Sequence, residues 1–152
     1  MPSIALLPVI TFLLAQQPAP PSSVDFEFFK TRIQPILMAK REGHARCISC
    51  HSTGTPMRLQ PLSQGNATWS EEESRKNFDV IRIRVVPGNP AKSRLLVHPL
   101  AENAGGDPIH DGGKHWQSQD DPEWQTLAAW VRGQTTSSSA PAPGKVRIIQ
   151  TN

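Results

Sequence analysis

The cysteines are the feature that most limits how this chain can fold. It has only two, and both lie within the five residues Cys47–His51, which read CISCH. No other thiol remains for a structural disulfide framework or a four-cysteine metal site. The 152 residues, 37% of them apolar, suit one compact domain with tails. A single modest core is therefore expected.

Composition indicates what kind of core this is. Fifteen prolines and ten glycines accompany five phenylalanines, four tryptophans and no tyrosine. Such a mixture favours short helices joined by long loops over a sheet built on aromatic pairs. We therefore predict an all-α fold with long loops, whose small core would gain much from a bulky apolar cofactor.

The charges of the chain are mixed and only mildly basic. Sixteen Lys and Arg residues stand against thirteen Asp and Glu residues, for a net charge of +3. The basic residues are scattered and form no run of the kind that binds nucleic acid. We expect no nucleic-acid partner, while a weak encounter with an acidic protein surface fits this balance.

The N-terminal residues predict export. Residues 4–15 form an uncharged apolar run of twelve residues, which is short for a bilayer span but suits the core of a secretory signal. We predict a signal peptide over 1–15 and a periplasmic or otherwise exported protein. If the run were not cleaved, it would tether the protein to a membrane.

Composition also divides the rest of the chain. We assign 16–23 to a proline-rich spacer, 24–133 to the ordered domain and 134–152 to a flexible linker and tail. The final segment, 145–152, is rich in β-branched side chains and resembles a strand. This pattern leaves room for a fused downstream domain.

The domain is predicted to begin and end with helices. The first begins at Asp25, and Pro35 should bend or restart it, because proline lacks a backbone donor and crowds the preceding turn. The last has Asp121 as its N-cap and stops at Gly133. Both helices carry aromatic faces, so we expect them to pack against each other.

Two further helices are predicted between them. Ser70 and Glu73 form a capping-box signature that opens one, although the alternating residues 80–85 also fit a strand. Asn89, followed by a proline, predicts a short helix that runs toward His98.

The five residues Cys47–His51 match the pattern that attaches haem c. In that pattern each of two thiols, here Cys47 and Cys50, bonds to one vinyl group of the porphyrin, and the next residue, here His51, binds the iron. The three groups must be close in sequence because the two vinyls and the iron belong to one macrocycle.

Two other interpretations of the same residues stay open. A thioredoxin-like redox pair would need a βαβ setting, and no strand is predicted before Cys47. A zinc ion could be held by His44, Cys47, Cys50 and His51 as a local cluster of nitrogen and sulfur donors.

Several segments around these five residues resemble those of a known family. A Pro-Ile-Leu segment ends the first helix, a Pro-Gly-x-Pro-x-x-Ser segment follows later, and His-x-Gly-Gly precedes a last helix that ends in Trp-Val. In these respects the chain resembles the mono-haem c-type cytochromes, and specifically the planctomycete-type cytochrome c domain. The matching segments are 33–37 (IQPIL), Cys47–His51, 87–93 (PGNPAKS), 110–113 (HDGG) and 130–131 (WV).

The resemblance implies a small cytochrome c-like helical domain wrapped around one covalently attached haem. Such a domain is an electron carrier and not an enzyme, and it exchanges single electrons with redox protein partners in its own compartment. The alternative is a haem domain with an open axial site that binds or activates small molecules. A zinc-binding interaction domain is a lesser alternative.

The second axial ligand decides between these functions. His110 is the first choice, because it occupies the His-x-Gly-Gly position in the loop before the last helix. His115, His98 and Met57 are the alternatives. The Met-Pro segment that is frequent in the family is missing, which argues against methionine. Two histidine ligands would give a low-spin centre of low potential.

Other side chains are expected to line the cofactor. At least one of the four tryptophans should contact it, and Gly112 and Gly113 would let backbone approach the porphyrin closely. Arginines are candidates to neutralise its propionates. Those arginines are Arg41, Arg46, Arg82 and Arg84.

Overall fold

The structure is a computed structural model that describes residues 23–138. These residues form short helices and turns, and strand pairing among them is limited to two isolated bridges. The predicted all-α class is confirmed for this part of the chain. The predicted signal peptide, most of the spacer and the tail from residue 139 onward lie outside the described residues.

The N-terminal helix runs in three consecutive segments. These are α1 (Phe26–Phe28), a π-helical turn (Phe29–Ile33) and α2 (Gln34–Met38). Asp25 caps the start as predicted, because its side chain accepts a hydrogen bond of 2.6 Å from the Phe28 amide. Pro35 lies at the start of α2, and the Gln34 amide donates to the carbonyl of Phe29, five residues back. The expected restart is confirmed, and it takes the form of a widened turn.

Helix α3 (Cys47–His51) is the turn that carries both cysteines. A longer helix, α4 (Glu71–Arg82), follows and begins at the predicted capping box, in which the Ser70 and Glu73 side chains each bind the other's backbone amide. Because α4 continues through Arg82, the competing strand over 80–85 does not form.

The segment after α4 differs from the single short helix expected there. Asn89 caps as predicted, but it caps a 3₁₀ turn (Pro90–Lys92), and a separate helix α5 (Arg94–Val97) follows. The cause is Ser93, whose buried hydroxyl donates to the Asn89 carbonyl and accepts from the Val86 amide. These hydrogen bonds hold Ser93 against the preceding turn and divide the predicted helix into the 3₁₀ turn and α5. A second 3₁₀ turn (Glu102–Ala104) comes next.

The last helix, α6 (Pro122–Val131), has the predicted cap and stop. Asp121 accepts from the Glu123 amide at 2.9 Å, and Gly133 has a left-handed φ of +91° just beyond the end. This helix packs on the N-terminal helix as expected. The rings of Phe29 and Trp130 lie 5.8 Å apart, and the Trp130 indole donates to the Asp25 carbonyl at 2.7 Å.

One core joins these elements. Its largest fully buried apolar side chains come from the N-terminal helix, α4, α5, α6 and the loops between them. They are Phe29, Ile33, Leu59, Ile81, Leu96, Leu100, Trp124, Leu127, Trp130 and Val131. Among residues 23–138, no helix has the length and apolarity that crossing a membrane requires.

Candidate functional site

A cavity of about 700 Å³ lies between α2, α3, α5 and the loop that precedes α6. Its volume falls within the range of small-molecule and cofactor sites. Six of the seven cysteine and histidine residues of the chain line it. They are Cys47, Cys50, His51, His98, His110 and His115.

Helix α3 presents its two thiols on one side of this cavity. Residues three and four apart share a face of a helix, so Cys47, Cys50 and His51 lie together. Both thiols are free, with Cys47 half-buried and Cys50 exposed. Burial raises the pKa of the Cys47 thiol, and the neighbouring Arg41 guanidinium offsets this in part.

The His51 imidazole is oriented by the loop that follows α3. Its Nδ1 lies 2.9 Å from the Met57 carbonyl and 3.0 Å from the Thr55 hydroxyl. A carbonyl oxygen can only accept, so Nδ1 carries the proton and Nε2 keeps a free lone pair. Burial lowers the pKa of His51, and the nearby His110 and Arg84 lower it further. The ring is therefore a neutral donor for a metal.

His110 is oriented in the same way from the other side. It lies in the segment 107–115, which we call the histidine loop. Its Nδ1 donates to the Gly113 carbonyl at 2.5 Å, and the Gly113 amide donates to the His110 carbonyl at 2.8 Å. Nε2 of His110 is again the nitrogen with a free lone pair.

The two glycines after His110 each leave room for an imidazole ring, Gly112 for His110 and Gly113 for His44. A methyl group at Gly112 would approach His110 Cε1 to 3.1 Å, and Gly113 has a left-handed φ of +80°. The expected close approach of these glycines to a porphyrin stays a prediction. In the structure, Gly112 leaves room for the His110 ring, Gly113 leaves room for the His44 ring, and the Gly113 carbonyl accepts a hydrogen bond from His110.

His51 and His110 form a near-parallel pair across the cavity. Their ring centres are 6.4 Å apart and their planes differ by 15°. A bond between a metal and an imidazole nitrogen is about 2 Å long, so imidazoles on opposite sides of one metal ion have ring centres about 6 Å apart. The spacing of this pair therefore fits a shared metal ion.

The alternative ligands named from the sequence also line the cavity. His98 and His115 lie beside His110, with ring centres 4.8 Å and 5.8 Å from it, while Met57 uses its carbonyl to orient His51. Nδ1 of His98 is bound to the Asp107 carboxylate at 2.8 Å. Of these candidates, His110 is the one that pairs with His51.

His115 is the most strongly perturbed of the imidazoles. Its pKa is lowered to about 4, mainly by burial, with smaller contributions from the charges of Arg41 and His44. Its Nδ1 is buried and has no hydrogen-bond partner among residues 23–138. His44, which was read from the sequence as a solvated or outer group, is half-buried with its ring centre 5.1 Å from that of His115.

The zinc hypothesis is not supported by the arrangement of donors. Within residues 23–138, no three side chains of His, Cys, Asp or Glu are grouped as a metal ion would require. The set His44, Cys47, Cys50 and His51 is therefore not a preformed zinc site. The redox alternative lacks its setting as well, because no strand precedes α3 in the described part of the chain.

The charged and aromatic lining of the cavity agrees in part with expectation. Trp116 lines it, whereas the other three tryptophans do not. Of the four candidate arginines, Arg46 and Arg84 line it. The structure adds Arg94, and Asp111 is the acidic residue in the lining. Three cations against one anion make the cavity suited to an apolar group that carries carboxylates.

Sequence reasoning missed the groups that orient the two imidazoles. The Met57 and Gly113 carbonyls are backbone groups, so no residue type in the sequence indicates their role. Lys114 was also missed, although its ammonium group donates to the carbonyls of His98 and Asp107 in the histidine loop. The nearest sequence signal was the Gly112-Gly113 pair, which marks a tight turn next to His110.

Comparison with known proteins found no family model that matches this chain, and no curated protein or solved structure that matches it.

Proposed function

We propose that this chain is an exported mono-haem c-type cytochrome domain that carries single electrons between protein partners. A bound haem would be held covalently by Cys47 and Cys50, and its iron would be bound by His51 and His110. The observation that carries the proposal is the pair of His51 and His110, 6.4 Å apart and nearly parallel beside two free thiols.

The number of donors favours haem over a bare metal ion. A metal held by side chains alone needs three or four ligands, and no such group exists in the described part of the chain. Two histidines suffice when a macrocycle fills the other positions around the metal. The two thiols within one helical turn would then serve as the points of covalent attachment of that macrocycle.

The cavity supports the same choice. It joins an apolar wall, to which Leu37, Leu95 and Leu127 contribute, with three arginines. A flat apolar group with carboxylates at its edge fits such a lining. Arg84 is already bound to the carbonyls of Val80 and Pro56, at 2.5 Å each. Within the described part of the chain, Arg46 and Arg94 are the lining arginines without such a bond, so they could pair with a carboxylate.

The residues of the chain fix the redox behaviour of the bound group. Haem supplies a one-electron change at its iron. The Met57 and Gly113 carbonyls hold both imidazoles in the tautomer that leaves Nε2 free. With His51 and His110 both bound to its iron, the haem would have no open position for small molecules, and its potential would be lower than with a methionine ligand.

A haem domain with an open axial position is the second candidate. The specific observation in its favour is His98, whose ring lies beside His110 and whose Nδ1 is bound to Asp107. Such an oriented imidazole could assist a small molecule at the iron if His110 were displaced.

The covalent attachment has a direct test. The full chain is made in a host that matures c-type cytochromes, and its mass is measured after denaturation and washing with acid acetone. The proposal requires the added mass and colour of one haem, and their loss in the Cys47→Ser/Cys50→Ser double variant. Colourless protein without added mass would overturn it.

Reduced protein exposed to carbon monoxide separates the two haem functions. A six-coordinate iron resists carbon monoxide, so its spectrum should change little. Rapid and complete binding would favour the open-site alternative.

A further inference from the structure

We infer that Lys114 is a positioning residue that clamps the histidine loop, and so keeps His110 opposite His51. This inference rests on the proposed function, because it assigns Lys114 a role in axial ligation. Lys114 does not line the cavity and acts only through His110.

The histidine loop is fastened to one short stretch of backbone at both ends. At the start of the loop, the Asp107 amide donates to the Val97 carbonyl at 2.9 Å. At the end, the His115 amide donates to the Pro99 carbonyl at 2.8 Å. The segment 97–99 therefore accepts hydrogen bonds from both ends of the histidine loop. His110 lies between these two ends in sequence.

Lys114 connects these two attachments. Its Nζ donates to the His98 carbonyl at 3.2 Å, on the receiving segment, and to the Asp107 carbonyl at the start of the loop. One ammonium group at the end of the loop thus binds both the beginning of the loop and the backbone of segment 97–99. Hydrogen bonds from a charged donor are stronger than neutral ones, so this contact closes the loop firmly.

The side chain of Lys114 has no competing partner in the described residues. Among residues 23–138 it forms no ion pair with a carboxylate, and it is half-buried, whereas Lys92 is exposed. The half-buried ammonium group of Lys114 therefore uses its hydrogen-bond donors on backbone carbonyls of the histidine loop and of segment 97–99. The Asp107 carboxylate is turned instead to Nδ1 of His98.

The clamp leads to His110 through one further residue. Gly113, whose carbonyl accepts from His110 Nδ1, directly precedes Lys114 in the chain. If Lys114 loses its two hydrogen bonds to carbonyls, the adjacent backbone of Gly113 is no longer held in place. The imidazole then loses the group that fixes its orientation, and its bond to the iron weakens.

The test compares three variants of the full haem-containing protein. Lys114→Met removes the donors, Lys114→Arg keeps a cation with several donors, and Lys92→Met removes the same charge from an exposed site. We expect Lys114→Met to bind carbon monoxide about ten times more readily than wild type in the reduced state, with a visible high-spin band in the oxidised state. Lys114→Arg should recover most of the low-spin spectrum, and Lys92→Met should match wild type.

Several outcomes would overturn the inference. One is a Lys114→Met protein whose spectrum and carbon monoxide binding match those of Lys92→Met. Another is a Lys114→Arg protein that is as high-spin as Lys114→Met. If Lys114→Met does not accumulate as folded protein, Lys114→Gln takes its place with the same expected direction and a smaller change. Wild-type protein that carries no covalent haem would instead overturn the proposed function, so the two failures are distinguishable.

Discussion

Two backbone carbonyls set the chemistry of the candidate site at the scale of single residues. The Met57 carbonyl fixes His51 and the Gly113 carbonyl fixes His110, and each leaves Nε2 as the free nitrogen. A side chain that binds a metal through one nitrogen commonly donates through the other, which raises its basicity and holds its orientation. In the proposed haem domain, the strength of both bonds to the iron would therefore depend on the position of two loops.

Gly112→Ala should weaken the bond from His110 to the iron. The added methyl group would lie 3.1 Å from His110 Cε1, so the ring must move. We expect a larger high-spin fraction in the oxidised optical spectrum. The control is Gly65→Ala, where φ is +82° and the methyl meets nothing within 4 Å. That variant should lose about 1 kcal/mol of stability and keep the wild-type spectrum. Equal spectra for both variants would contradict this prediction.

His115 should make the folded protein sensitive to acid. Its pKa is lowered to about 4 in the folded chain, below the value of about 6.5 that an unfolded chain has. The unfolded state then binds more protons between these values, so the stabilising effect of neutral His115 is complete above pH 6.5 and is lost as the pH falls toward 4.

His115→Gln should reduce this acid sensitivity. The urea midpoint of wild type is expected to drop more between pH 7 and pH 4.5 than that of the variant. Because each protein is compared with itself at two pH values, a general loss of stability in the variant does not affect the result. The same drop in both proteins would show that His115 does not titrate in this way.

At the scale of elements, one partly buried ion pair joins the two sides of the cavity. The Arg41 guanidinium, just ahead of α3, donates to Glu123 in the first turn of α6 and to the Ile36 carbonyl of α2. The Glu123 carboxylate also accepts from the Trp116 indole at 3.2 Å, directly after the histidine loop. This carboxylate therefore connects the segment that precedes the thiol-bearing helix with the residue that follows the histidine loop.

Glu123→Ala should destabilise the domain far more than Glu72→Ala. Both glutamates occupy the second position of a helix, so their interactions with the helix dipole are matched. The Glu123 partner Arg41 has 14% of its side chain exposed, whereas Lys76, the partner of Glu72, has 55% exposed. We expect a loss of about 2 kcal/mol for Glu123→Ala and about 0.3–0.5 kcal/mol for Glu72→Ala in urea unfolding. Losses of the same size would contradict the linking role of Glu123.

For the whole molecule, local sequence signals predicted more of the fold than of the site. Caps at Asp25, Ser70 and Asp121 act within one turn, so their helices could be predicted from neighbouring residues alone. The division of the short helix at Ser93 could not be predicted in this way, because it depends on the position of the buried Ser93 hydroxyl in the folded chain. The widened turn before Pro35 depends on packing in the same way.

In the candidate site too, some residues are brought together by local structure and others by tertiary packing. Cys47, Cys50 and His51 are near in sequence, and one turn of helix brings them together. His110 is remote from them in sequence, and its ring comes near that of His51 only through the fold of the chain. Contacts of this kind are set by tertiary packing, which a pattern of residue types does not specify.

The spin state of the His110→Ala variant tests the central claim most directly, with His44→Ala as its control. His44 is half-buried near the histidine loop but does not line the cavity. We predict a low-spin oxidised spectrum for wild type and His44→Ala, and a high-spin spectrum with rapid carbon monoxide binding after reduction for His110→Ala. A wild-type protein that is already high-spin, or a His110→Ala protein that stays low-spin, would contradict the claim that His51 and His110 hold one iron between them.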